Sequence, residues 1–474
     1  MKKIIIAGWL LTAFGSSSAL EMENCHLSDP TGLTSVRAEC GYVSVPENRT
    51  NTTKNITLKL AIIRTSSKKK KDDPVLMLAG GPGQSALESY TQAEGGFQSI
   101  LRHRDVVLVD QRGTGSSNAL DCQFDMTEAI SVESDAWRDQ LIACRDSLDA
   151  DLAEYTTTAV VEDLEDVRKA LGIEKWNLIG VSYGSRKALT YMRMYPQSLR
   201  SVILDGVVPQ QEPLGLSHDA NISGALVKQF ELCQQQPACA EAFGDGEAKM
   251  WSLLNRLEDS PINLKLPDPI SGKVEDFTLS KDYAAMALRM FAYSPESMRL
   301  IPLLVSLAEE DQPENLAAQA KMIEIMLTQG LSNALEISVI CTEDEPFYRN
   351  LPVPEKSLFG NDFVKQNEER CDLWPHQDVD PSFKEPVVSD IPTLLLSGEL
   401  DPVTPPRFAE TTMQTLSRSQ HLVAKGQGHN VFVRGCMPRI VSNFIRDPEA
   451  ELDTECMKSF DYTPFFVNLM GPQE

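Results

Sequence analysis

Few residues in this chain have the type and spacing to do chemistry. The strongest set is Gly180-Val181-Ser182-Tyr183-Gly184. A candidate strand from Trp176 to Ile179 precedes it, and a helical pattern that Pro196 stops follows it. A strand that turns sharply into a helix needs small residues on both sides of the turn. Such a turn lifts a serine hydroxyl clear of the sheet. The helix start adds backbone N–H groups and a positive dipole for a developing oxyanion. The chemistry predicted is acyl transfer through a serine nucleophile.

A serine hydroxyl needs a base. The chain has six histidines. Serine elbows of this kind have their acid and then their base later in the chain. That leaves His218, His376, His421 and His429. His421 opens a strand pattern, and His218 and His376 fall in a mostly helical middle. His429 lies in Gly426-Gln427-Gly428-His429-Asn430, a turn just after a strand, where an imidazole can reach a reacting group. The acid should leave the preceding strand. Thr393 to Leu396 runs into Ser397-Gly398-Glu399-Leu400-Asp401-Pro402, so Glu399 and Asp401 both qualify. Either could orient the imidazole through its Nδ1–H. An oxyanion needs two donors. One is the N–H of Tyr183, directly after the serine. The other comes from Ala79-Gly80-Gly81-Pro82-Gly83, where Pro82 has no N–H; Gly81 is the first choice and Gly80 the second.

Short apolar runs must position these groups. They are Thr57 to Ile63, Val75 to Ala79, Val106 to Val109, Trp176 to Ile179, Val202 to Leu204, Thr393 to Leu396 and His421 to Val423. Several are continuous, as in parallel strands covered on both faces. They alternate with helical patterns, which predicts an α/β class with a mostly parallel central sheet. One helix is well marked by Val160, Val161, Leu164, Val167 and Leu171, with Thr157 or Thr158 to cap it and Gly172 to end it. From Gln210 to Val388 the periodicity is mostly helical. The expected organisation is a signal peptide at 1–19, a first core part at 20–209, an inserted helical cap at 210–388 and a second core part at 389–474.

Composition sets bounds. A 42% apolar, 24% charged chain of 474 residues is that of a globular protein. With 44 Lys+Arg against 68 Asp+Glu the net charge is −24, which excludes a general binder of nucleic-acid backbones. The one dense basic run, Lys68 to Lys71, reads as a solvated loop tip before Asp72-Asp73-Pro74. Lys2, Lys3, the apolar run Ile4 to Phe14 and Ser17-Ser18-Ala19 form an export signal. Its removal takes two lysines and no acid, so −24 becomes −26. No later stretch is long and uncharged enough to span a membrane. The mature protein is expected in a periplasm or outside the cell. Ten cysteines agree with an oxidising compartment. Pairing each with its sequence neighbour keeps every bridge inside one structural unit: 25–40, 122–144, 233–239, 341–371 and 436–456. No cysteine or histidine spacing resembles a metal site. No cofactor is expected, since serine acyl transfer needs none.

Several motifs together resemble a known family. Ala79 to Gly83, Asp110-Gln111-Arg112-Gly113-Thr114-Gly115-x-Ser117, Gly180 to Gly184, Leu204-Asp205-Gly206-Val207 and the Asp401 and His429 turns come in the order seen in tripeptidyl and prolyl aminopeptidases of the α/β-hydrolase fold. Cys40-Gly-Tyr-Val-Ser-Val-Pro46 and the C-terminal Cys436 and Cys456 are similar to the exported, tripeptidyl-type branch. Ala79, where many intracellular prolyl aminopeptidases have His, departs from strict proline specificity. The resemblance implies an α/β-hydrolase fold and favours Asp401 over Glu399 as the acid. It implies an exopeptidase acting on free N-termini of short peptides, with Ser182, Asp401 and His429 catalytic and no nucleic-acid partner. Such an enzyme must read an ammonium group with carboxylates at a fixed distance from Ser182. Glu343 and Asp344 in Cys341-Thr-Glu-Asp-Glu345 are the expected pair. Arg112 is expected in a structural ion pair. An exported carboxylesterase on the same scaffold, and a non-catalytic binding protein that kept the fold, are the alternatives.

Overall fold

The computed structural model describes residues 20–29, 34–122, 135–269, 271–330, 332–349 and 356–473. The signal reading of 1–19 lies outside the described residues. The apolar runs become strands of one sheet. The strands are β1 (Glu23–Ser28) and β2 (Ser35–Pro46), which are not among those runs, then β3 (Asn55–Ile63), β4 (Val75–Leu78), β5 (Val106–Val109), β6 (Trp176–Val181) and β7 (Leu199–Asp205). A hairpin, β8 (Ile262–Pro267) with β9 (Val274–Leu279), stands apart, and β10 (Thr393–Gly398) and β11 (Ser419–Ala424) complete the large sheet. Its order is β1-β2-β3-β5-β4-β6-β7-β10-β11. β1, β2, β3 and β5 pair antiparallel, and from β5 to β11 every pairing is parallel. β4 and β5, which read Val-Leu-Met-Leu and Val-Val-Leu-Val, are buried at every residue. Helices cover both of their faces, so no position is free to be polar. β2 alternates exposed and buried residues because one of its faces meets solvent.

The marked helix is Thr157–Ala170, and its cap differs from expectation. Thr156, not Thr157 or Thr158, accepts from the Ala159 N–H. The Thr157 hydroxyl is drawn elsewhere, to Glu343 and the Tyr183 hydroxyl. Between β7 and β10 the chain is mostly helical, from His218–Gln235 to Asp362–Cys371. The hairpin β8–β9 interrupts it; at six residues per strand its alternation is too short to stand out in the sequence. This region has its own apolar core, centred on residues such as Leu226, Met250, Leu288 and Ile301. Leu400 and Val403, just after β10, join that core and fasten it over the carboxyl ends of the strands. Five disulfides link the cysteines in sequence order: Cys25–Cys40, Cys122–Cys144, Cys233–Cys239, Cys341–Cys371 and Cys436–Cys456. No described helix is long and apolar enough to cross a membrane.

Arg112 is fully buried. Its Nε and Nη2 donate to the two Asp163 oxygens at 2.7 Å each. The carbonyls of Glu47, Glu154 and Pro46 accept the rest at 2.7 to 3.1 Å. This guanidinium ties the end of β2 to the middle of the Thr157–Ala170 helix and to the turn before it. Arg112→Ala leaves a buried carboxylate and three carbonyls short of donors. It is expected to cost about 3–5 kcal/mol, read as a lower urea midpoint. Arg112→Lys restores little of this, because an ammonium cannot reproduce the planar fork.

Candidate active site

β6, β7, β10 and β11 run parallel, so their carboxyl ends share one edge of the sheet. Ser182 leaves β6 there, with φ 56 and ψ −125, as the residue before the helix Tyr183–Met194. The flanking glycines have a steric reason. A Cβ on Gly180 would lie 2.4 Å from the Gly184 carbonyl oxygen, and one on Gly184 would lie 2.1 Å from that of Leu78. The strand and helix can approach this closely only without side chains. The Ser182 N–H donates to the Asp205 carbonyl at 2.8 Å, which fastens the elbow to the end of β7.

His429 follows β11. Its Nδ1 lies 2.7 Å from Asp401 Oδ2. Asp401 follows β10 and is held on both oxygens. The Val403 and Thr404 N–H groups donate to Oδ1 at 2.9 and 2.8 Å, and the Thr404 hydroxyl donates to Oδ2 at 2.7 Å. The Thr404 oxygen is also 3.1 Å from His429 Nδ1. Glu399 faces away, accepting from the Gly426 N–H and the Tyr462 hydroxyl. Burial disfavours the protonated imidazole. The Asp401 charge and hydrogen bond, with Asp205 further off, more than offset this and set the His429 pKa above 6.5. Burial likewise resists ionisation of Asp401, but His429 and Thr404 hold its carboxyl below the usual range.

The histidine loop has a second anchor. Asp205 accepts the N–H groups of Val431 and Phe432 at 3.0 and 2.8 Å. Burial outweighs these bonds and pushes its pKa up to about 6. The next residue, Gly206, lies under the imidazole, where a Cβ would meet His429 Cε1 at 2.9 Å. Asp205 thus holds Ser182 through its carbonyl and the His429 loop through its carboxylate. From the cap, the Tyr293 carbonyl accepts the His429 N–H at 2.8 Å, and its ring packs edge-on against the imidazole at 5.3 Å. The loop after β4 lies against the elbow: a Cβ on Gly80 would stand 3.0 Å from Ser182 Cβ. The Gly80 N–H is engaged by Gln84 Oε1 at 3.1 Å. The Gly81 and Tyr183 N–H groups have no acceptor among the described residues.

Glu343 and Asp344 are placed differently from the rest. Both are buried below the helix Tyr183–Met194 and already bonded. Glu343 accepts from the N–H and hydroxyl of Thr157, and burial beside Asp344 pushes its pKa up to about 7. Asp344 accepts from Arg186 at 2.8 Å, Lys384 at 2.5 Å and the Leu214 N–H at 3.0 Å. Asp344 thus anchors the helix Tyr183–Met194 through Arg186, and Glu343 anchors the start of the helix Thr157–Ala170 through Thr157. Thr404, Asp205 and Tyr293 are the parts that sequence reasoning missed. Asp205 stood in the Leu204-Asp-Gly-Val motif without a role, Thr404 lies three residues from Asp401, and Tyr293 carried no signal.

The chain matches the α/β-hydrolase fold family model over residues 73–435. It is 24% identical to the putative hydrolase YuaR of Escherichia coli K12, over 94% of each chain. It is 25% identical to the serine protease Hip1 of Mycobacterium tuberculosis H37Rv, over 90% of this chain and 88% of that one. A tripeptidyl aminopeptidase of Streptomyces lividans matches at 28% over 36% of this chain and 35% of its own. A match over most of the chain, on a sheet and elbow of this geometry, makes the protein a member of the α/β-hydrolase fold family, a hydrolase related to serine peptidases.

Proposed function

We propose that the protein is a serine exopeptidase that releases residues or short peptides, tripeptides among them, from free N-termini. The observation that carries this reading is the Asp401–His429 pair on the same sheet edge as a serine held at positive φ, with Asp205 bonded both to that serine and to the His429 loop. With Nδ1 engaged by Asp401, Nε2 of His429 is the nitrogen left to take the Ser182 proton. The serine oxygen attacks the scissile carbonyl. The Gly81 and Tyr183 N–H groups receive the oxyanion. His429 then protonates the leaving amine, and water resolves the acyl-enzyme. The names of the Hip1 and tripeptidyl aminopeptidase relatives support a peptide over an ester substrate. Five disulfides support export to an oxidising compartment.

The test is a panel of chromogenic mono-, di- and tripeptide amides, each free or N-acetylated, with short-chain esters. Free-amino amides are expected to be cleaved, and acetylation to lower kcat/KM by at least about a hundredfold, because it removes the charge that the site must read. The preferred length identifies the released unit. Ester cleavage alone, indifferent to acetylation, would replace the peptidase with a carboxylesterase.

A further inference from the structure

A cationic cleft lies on the other edge of the sheet. It encloses about 100 Å³, and its lining includes Arg102, His103, Arg104, Arg439, Asn443 and Arg446, with no carboxylate among the lining residues. His103 and Arg104 come just before β5, at the amino end of that strand. β5, β4 and β6 are parallel, and Ser182 leaves the carboxyl end of β6. The cleft and the serine are therefore separated by the length of the strands. The facing wall is the helix Met437–Arg446, tied across by the Ser442 hydroxyl to the Ser99 carbonyl at 3.1 Å.

The charges in the cleft are poorly answered from within the protein. The side chains of Arg102, Arg439 and Arg446 make no hydrogen bond or ion pair among the described residues. Asp73 is the carboxylate beneath, and two guanidiniums share it, Arg104 at 2.9 Å and Arg200 at 3.4 Å. Arg200 also donates to the carbonyls of Ile445 and Arg446, which offsets the negative end of the facing helix. The Lys71 N–H donates to the His103 carbonyl at 2.8 Å, so the Lys68–Lys71 run stands at the rim. Lys70 is paired with Asp105; Lys68, Lys69 and Lys71 are exposed. Exposed charges act over roughly a Debye length of 10 Å, so such a patch keeps a local positive field on a molecule of net charge −24.

We propose that this cleft binds the phosphoryl group of a phosphate-bearing ligand. Several guanidiniums lining one small cleft suit a tetrahedral, multiply charged anion, to which Arg102, Arg439 and Arg446 can each donate two parallel hydrogen bonds, Arg104 being engaged by Asp73. A single carboxylate could use only one such fork. The site would seat the enzyme by the edge remote from Ser182 and leave the peptide entrance free.

The test uses the mature protein and the double variant Arg102→Gln/Arg439→Gln, both exposed positions, with Lys228→Gln as a control of charge elsewhere. Calorimetric titration with inorganic phosphate and pyrophosphate is expected to show saturable binding by the parent and control. The double variant should bind at least about tenfold more weakly, having lost two charged hydrogen-bonding groups. Hydrolysis of the parent's best substrate should be equal in all three. Sedimentation with phosphatidylglycerol against phosphatidylcholine vesicles distinguishes the sources. Retention on the former, lost in the double variant, assigns a lipid headgroup; pyrophosphate binding without retention assigns a soluble phosphate. Equal anion binding by parent and double variant, or none by the parent, overturns the proposal.

Discussion

Ser182→Ala is expected to lower kcat/KM on the best peptide amide by about 10⁴- to 10⁶-fold while the protein stays folded. The span follows from other serine hydrolases, in which loss of the nucleophile removes the covalent route and leaves only binding and oxyanion stabilisation. The geometry adds a second expectation. A non-glycine residue at φ 56, ψ −125 is held in a costly conformation by its surroundings. Those surroundings are the Gly180–Gly184 contact and the Ser182 N–H bond to Asp205. Ser182→Gly should abolish activity as fully and raise stability by about 1 kcal/mol, because glycine adopts this backbone without strain. Ser182→Ala, which keeps a Cβ, should not. Activity of Ser182→Ala within about tenfold of the parent would remove Ser182 as the nucleophile. A melting temperature of Ser182→Gly below that of Ser182→Ala would show that the elbow is unstrained.

Much of this arrangement was legible because local rules govern it. β4 and β5 are unbroken apolar runs, and burial on both faces requires that. The elbow glycines are dictated by contacts within five residues of each other and with the neighbouring strand. The disulfides join neighbouring cysteines, each pair inside one structural unit, so the local pairing was legible once the units were drawn. What remained hidden depends on partners distant in sequence. Glu343 and Asp344 read as a pair for an incoming ammonium, and nothing nearby reveals that Thr157 and Arg186, 186 and 158 residues away, already engage them inside the protein. The cap of the Thr157–Ala170 helix shifted by one residue for the same reason, since Glu343 claims the Thr157 hydroxyl. β1 and β2 carry no such signal, because an antiparallel edge with a solvated face has no continuous apolar run. The role of Asp205 lies in two N–H groups 226 and 227 residues further on, a distance over which no periodicity carries information.

Asp401→Asn separates orientation from presence of the imidazole. The amide can take the place of the carboxylate, but its NH₂ can donate to His429 Nδ1. That would fix the tautomer with the proton on Nε2, which cannot then accept from Ser182. A fall in kcat/KM of about 10⁴-fold is expected at neutral pH. The pH profile supplies a readout that a packing defect would not move. His429 must be neutral to act as base, and its pKa is raised above 6.5, chiefly by Asp401 acting against burial. The ascending limb of kcat/KM for the parent should therefore lie above pH 6.5. With the carboxylate gone, burial dominates and Asp205 is the remaining nearby carboxylate. The limb should then move below the parent's and below 6.5. Asp205→Asn removes the more distant charge and should shift the limb the same way by less. That variant also tests whether the two N–H bonds from Val431 and Phe432 need a charged acceptor to keep the histidine loop in place. An Asp401→Asn limb that coincides with the parent's would mean that another carboxylate sets the imidazole's charge. Asp205 would be the group to examine, because its backbone already joins the nucleophile to the base.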